Sequence, residues 1–105
     1  MARTRKARSD RNHVIYCIMN TATNQHYIGV TVCAGGINRA VKVRFQKHVR
    51  RALTENRDWA LCRSIREWGA DAHLCLVLEK VRGKGQAHAR EREITRETSP
   101  VLNSL

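Results

Sequence analysis

Between residues 13 and 32 the chain reads HVIYCIMNTATNQHYIGVTV, and this stretch constrains the fold more than any other. His13 to Met19 and Tyr27 to Val32 are rich in β-branched and aromatic residues, which suit a pleated, half-buried surface. The polar run from Asn20 to Asn24 separates them, so the two predict an antiparallel hairpin. A turn midway, near Thr21 and Ala22, sets Tyr16 opposite Tyr27 with both rings on one face. Gly29 lies inside the second strand, where a glycine costs stability and usually marks a close approach by other atoms.

Gly35 and Gly36 then break the chain, and Asn38 is placed to cap a helix. Val41, Phe45, Val49, Ala52 and Leu53 recur at helical spacing and predict its core-facing stripe. Arg44 and His48 are four apart and share a face along the edge of that stripe. Lys42, Lys47, Arg50 and Arg51 make the rest of the helix basic. Asp58 is a candidate cap for a second helix carrying Leu61, Cys62, Ile65 and Trp68, and Gly69 ends it. Trp59 and Trp68 read as core anchors. His73 to Val81, HLCLVLEKV, is apolar enough for a central strand. A last helix spans roughly Gln86 to Thr98 before Pro100. Ala87, Glu91 and Ile94 share one stripe on it, so Glu91 falls on the core side while Glu93 points away. The order β-β-α-α-β-α predicts an α+β domain over residues 13–105, with a small three-stranded antiparallel sheet, flanking helices and one core.

Charge limits the partners. In 105 residues, twenty Lys plus Arg stand against nine Asp plus Glu, a formal net charge of +11. Such an excess attracts phosphate polyanions or anionic lipid. No apolar stretch is long enough to span a bilayer and no basic helix has a clean stripe for lipid, so nucleic acid is the leading partner and a membrane is not expected. Residues 1–12 carry Arg3, Arg5, Lys6, Arg8 and Arg11 with little that is apolar, and read as a flexible arm for a phosphate backbone. With no secretory signal, a cytoplasmic location is expected. The four cysteines, Cys17, Cys33, Cys62 and Cys75, form no CxxC pair and read as free thiols; a zinc site from His13 and Cys17 has less to support it. His13, His26, His73 and His88 are expected to be structural or at the surface.

Tyr16, Tyr27, Arg44, His48 and Glu91, with Asn103 beyond the last helix, are polar residues that packing alone does not call for. A phosphodiester hydrolase needs such parts: a group to orient or deprotonate water, a cation over the phosphate and a carboxylate for a metal ion. Taken one at a time, the tyrosines read as packing residues, Arg44 and His48 as a solvated basic face, and Glu91 as an ion-pair partner of Arg90 or Arg92.

In this order the residues resemble the GIY-YIG endonucleases. The first signature appears as Val14-Ile15-Tyr16 and the second as Tyr27-Ile28-Gly29. Arg44 to His48 is similar to the family's Arg-x-x-x-His element, and Glu91 precedes Asn103 as in its metal-binding helix and trailing Asn. Trp59 to Glu79, including Ser64-Ile65-Arg66-Glu67-Trp68-Gly69, resembles phage and mobile-intron members. The likeness covers about residues 13 to 103. Val14 departs from the pattern, standing where the family usually has Gly.

The resemblance implies an endonuclease that hydrolyses DNA with Mg²⁺ or Mn²⁺. Tyr16 would orient or deprotonate the attacking water with His48 as acceptor or relay, Tyr27 would position water or phosphate, and Arg44 would neutralise charge on the phosphate. Glu91 would be the one direct protein ligand of the metal, and Asn103 would brace the site. Arg3, Arg5, Lys6, Arg8, Arg11, Lys42, Lys47 and Arg51 are the candidate nucleic-acid contacts. One active site nicks one strand, so a double-strand break calls for a homodimer on DNA or two binding events. Targeting falls to the chain's own loops and arm or to a protein partner. The short form points to a phage or mobile-element protein.

Overall fold

In the computed structural model, residues 11–55 and 59–103 are described. The expected contacts from Arg3, Arg5, Lys6 and Arg8, and the expected cap Asp58, lie outside those residues. The elements are β1 (Asn12–Asn20), β2 (His26–Val32), α1 (Ile37–Thr54), α2 (Ala60–Trp68), β3 (His73–Arg82) and α3 (Lys84–Thr98). Short 3-10 turns at Ala70–Ala72 and Val101–Asn103 complete the α+β order the sequence predicts.

The sheet runs β2-β1-β3, antiparallel throughout. β1 is therefore the central strand, and β3, expected there, is an edge. Both runs are apolar, but only β1 is covered on both faces. Val14, Tyr16 and Ile18 face α1 and α2, where they pack with Val41, Ala52, Leu61, Ile65 and Leu102. Ile15 and Cys17 face the other way and pack with Ile28 and with Ile94 of α3. Two clusters on opposite faces thus replace the single expected core. Val14, Ile15 and Ile18 are fully buried, and each contributes on the order of 1.5–3 kcal/mol.

β3 leaves Leu74, Leu76, Val77 and Leu78 exposed. A bulge contributes: Ile15 pairs with Glu79 and Tyr16 with Val77, so Leu78 is the extra residue. Leu53 and Trp68 are also exposed, against expectation, while Trp59 packs on the core. α1 starts one residue before Asn38, with Gly36 at its cap position and no side-chain cap. Among the described residues no helix is long and apolar enough to cross a membrane.

The hairpin register differs from a midway turn. Tyr16 lies opposite Gly29, and Tyr27 opposite Ile18. The turn is longer because the buried Asn20 organises it: its Oδ1 accepts from the N–H groups of Ala22 and Thr23, and Asn24 takes a left-handed φ of 62°. A shift of two positions preserves the faces, since side chains alternate with period two. The tyrosines are diagonal neighbours, still on one side.

Asn20 also anchors the far end of the sheet. Its Nδ2 donates to Ser64 Oγ at 2.9 Å, Ser64 donates to His73 Nε2 at 2.8 Å, and His73 Nδ1 donates to the Gly69 carbonyl at 2.8 Å. Every member of this buried chain is satisfied, which makes His73 structural, as expected, and ties β1, α2 and β3 together.

Candidate active site

Tyr16 projects from the middle of β1 toward α1, and its ring crosses the backbone of β2 where Gly29 sits. A Cβ on residue 29 would lie 2.5 Å from Tyr16 Cζ and Oη and 2.8 Å from Tyr27 Cε1. The absence of a side chain at Gly29 is what leaves room for both rings over the hairpin. Tyr16 Oη and His48 Nε2 are 2.9 Å apart in a buried hydrogen bond. The ring centres of Tyr16 and Tyr27 are 6.2 Å apart, and Tyr27 meets His48 edge-on at 5.1 Å. Two tyrosines and an imidazole thus form one cluster from β1, β2 and α1.

Arg44 stands one turn before His48 on α1. Its Nε is buried and has no hydrogen-bond partner among the described residues, a costly state for a charged donor unless something else occupies the space beside it. Tyr27, Arg44, His48, Arg51 and Asn103 line a cavity of about 220 Å³ with Trp59, Leu61, Cys62 and Leu102. Asn103 reaches back to the hairpin: its Nδ2 donates to the Ile28 carbonyl at 2.9 Å, and its Oδ1 accepts from the Ile28 N–H at 2.8 Å. This pair satisfies the free edge of β2 between Tyr27 and Gly29.

Burial sets the protonation states. Tyr16 is held well above the usual phenol pKa by burial and then by Tyr27; Arg44 pulls it down but does not prevail. Burial also raises Tyr27, opposed by Arg44 and Arg51. His48 falls to about 4, through burial and then the positive charges of Arg44 and Arg51. At neutral pH the cluster therefore holds a protonated phenol against an uncharged imidazole.

Glu91, on α3, adds to the upward push on Tyr27, which places its charge within electrostatic reach of the cluster. Its own pKa is raised by burial, against the pull of His88 and Arg92. The ion pair with Arg90 does not form. Arg90 is taken by Glu79 at 2.8 Å and Glu93 at 3.1 Å, which leaves Glu91 a half-buried carboxylate with no salt bridge among the described residues. Those residues contain no cluster of three or more His, Cys, Asp or Glu that could hold a metal. A single unpaired carboxylate still fits a hard divalent cation whose remaining ligands are water and phosphate oxygens.

Two solved structures share the architecture. One is the catalytic domain of the intron endonuclease I-TevI in a glutamate-to-alanine mutant, at 22% identity and a TM-score of 0.70, covering 89% of this chain and 90% of that one. This chain has that fold. The other, the catalytic domain of the homing endonuclease I-TevI, gives 22% identity and 0.68, covering 88% of this chain and 94% of its own. No family model and no curated protein matches the chain.

Of the candidate nucleic-acid contacts, Arg51 lines the cavity and Lys47 a groove beside it, while Lys42 lies apart, in a hollow with Phe45 and Val77. Arg11 is exposed, and its carbonyl accepts from His13 Nδ1 at 2.8 Å. Sequence reasoning missed the groove that Lys47 shares with His13, Lys84 and His88. Its residues come from separate elements with no common spacing.

Proposed function

We propose that this chain is a divalent-metal-dependent endonuclease of the GIY-YIG type that hydrolyses DNA phosphodiester bonds. The observation that carries the reading is the buried Tyr16–His48 hydrogen bond at 2.9 Å beside an Arg44 whose Nε has no acceptor among the described residues. Packing alone gives no reason to set a buried, unpartnered guanidinium Nε next to a phenol and an imidazole. A phosphate oxygen entering the cavity supplies the missing acceptor.

Tyr16 stays protonated at neutral pH, so it acts as an orienting group rather than a resident phenolate. Its oxygen accepts a hydrogen bond from the attacking water while its proton is directed to His48 Nε2, so a proton leaving the water passes through Tyr16 to the imidazole. An imidazole with a pKa near 4 is a weak base. A bound phosphate offsets the field of Arg44 and Arg51, and basicity rises when substrate is present. Tyr27 packs edge-on against His48 and holds its ring plane. Arg44 stabilises charge that develops on the phosphoryl oxygens. Glu91 would hold Mg²⁺ or Mn²⁺, which when bound polarises a phosphoryl oxygen and neutralises its charge. Asn103 fixes the β2 edge that carries Tyr27. One such site cuts one strand, and a double-strand break takes a second copy or a second event.

The test separates binding from cleavage. Glu91→Ala and His48→Ala proteins that remain folded should bind a DNA duplex in EDTA as well as wild type, yet lose metal-dependent nicking by about 100-fold or more. Variants that nick at the wild-type rate would remove both residues from the chemistry.

A further inference from the structure

On the other side of Arg44 lies a groove of about 350 Å³ lined by His13, Thr31, Arg44, Lys47, Lys84 and His88, with Val30 and Val32 at its base. β1, β2, α1 and α3 all contribute to it, and no carboxylate lines it. Three permanent cations face one hollow, and none of Arg44, Lys47 and Lys84 has an ion-pair partner among the described residues. Gathering like charges this way is unfavourable unless an anion compensates. Two of the lining side chains stand out. One is the half-buried Arg44, whose Nε is buried and unpartnered among the described residues. The other is His13, only 5% exposed, whose Nδ1 is committed to the Arg11 carbonyl, which leaves Nε2 as the atom for the groove.

The start of α3 adds a third element. Lys84 opens this 15-residue helix, its first turn has no acidic residue, and its cap position, Gly83, makes no side-chain hydrogen bond. The backbone N–H groups and the positive end of the helix dipole are therefore uncompensated there.

We propose that this groove binds a second backbone phosphate of the DNA strand being cut, next to the phosphate held at Tyr16, Tyr27 and His48. Arg44 lines both spaces, and its guanidinium has five donors in a fixed fork that can serve two phosphates at once. Lys84 and Lys47 supply charge, Thr31 and His88 supply hydrogen bonds, and the groove sets the direction in which the strand crosses the active site. The inference rests on the nuclease reading of the adjoining cavity.

The test is the affinity of a fluorescently labelled duplex, measured by anisotropy in EDTA over a salt series, for wild type, Lys84→Gln and Arg96→Gln. Arg96 is in the last turn of the same helix, about 18 Å from Lys84 at 1.5 Å per residue, so it removes the same charge away from the groove. Losing one phosphate contact lowers the log–log salt slope by about one unit and weakens binding about eightfold at 0.1 M salt. Lys84→Gln should show both effects and Arg96→Gln neither. Equal losses in the two variants, or no loss in Lys84→Gln, would overturn the groove. Plasmid nicking by the same proteins reports on the other reading. Wild type that nicks while the two variants bind alike leaves the nuclease standing without the groove. Wild type that does not nick, with a loss confined to Lys84→Gln, leaves a DNA-phosphate groove without the nuclease.

Discussion

Gly29→Ala is the smallest change that acts on the centre of the site. The added methyl would sit 2.5 Å from Tyr16 Cζ and Oη and 2.8 Å from Tyr27 Cε1, well inside contact distance. The Tyr16 ring is not a loose end that swings aside. Tyr16 is fully buried and tied to His48, and β1 behind it is packed on both faces. Overpacking of this kind costs about 1–3 kcal/mol, and displacing the Tyr16 hydroxyl from His48 adds about 1 kcal/mol. The expected loss is therefore about 2–4 kcal/mol, or roughly 10–20 °C in Tm for a domain of this size. Gly85→Ala is the matched control. It makes the same chemical change near the start of α3, where the methyl meets nothing, and it should stabilise by about 0.5–1 kcal/mol. Urea titrations of both variants against wild type measure the difference. A Gly29→Ala protein within about 0.5 kcal/mol of wild type would refute the close approach of the rings.

Three further outcomes follow from the same contacts. His48 titrates near 4 when folded against 6.5 unfolded. The unfolded chain therefore binds the proton first, and stability is fully present above pH 6.5 and declines as pH falls toward 4. The loss is about 3 kcal/mol, and a His48→Gln protein should flatten that part of the curve. Glu91 has the opposite sign: its folded pKa is raised, so its ionised form costs stability at neutral pH, and Glu91→Gln should melt at or above the wild-type temperature, whereas a fall of several degrees would mean an unseen partner. Asn103→Ala removes both hydrogen bonds to Ile28 and should cost about 1–3 kcal/mol in a thermal melt; no change would mean that β2 needs no brace.

The parts that followed from local chemistry were legible in the sequence. The hairpin, the basic helix with Arg44 one turn before His48, and the final helix with Glu91 on its inner side all rest on spacing within one element. The hairpin register was not legible, because a buried Asn20 and a left-handed Asn24 lengthen the turn. The tyrosines kept a common face only because the shift was an even one. β1 and β3 could not be told apart as centre and edge, since both are apolar runs and only the strand pairing of the folded sheet sets β1 between the other two. Leu53 and Trp68 fit a helical stripe, yet both stay exposed. The uncharged state of His48 and the pairing of Arg90 away from Glu91 are tertiary effects, as is the groove at His13, Lys84 and His88.

Conversion of supercoiled plasmid to open circles in Mg²⁺ or Mn²⁺, for wild type, folded Glu91→Ala and wild type with EDTA, tests the nuclease directly. Nicking by wild type alone is expected, abolished by the chelator and by loss of the carboxylate. Nicking that survives both would contradict the metal-dependent mechanism, and a folded wild type that binds DNA without cutting it would contradict the enzyme itself.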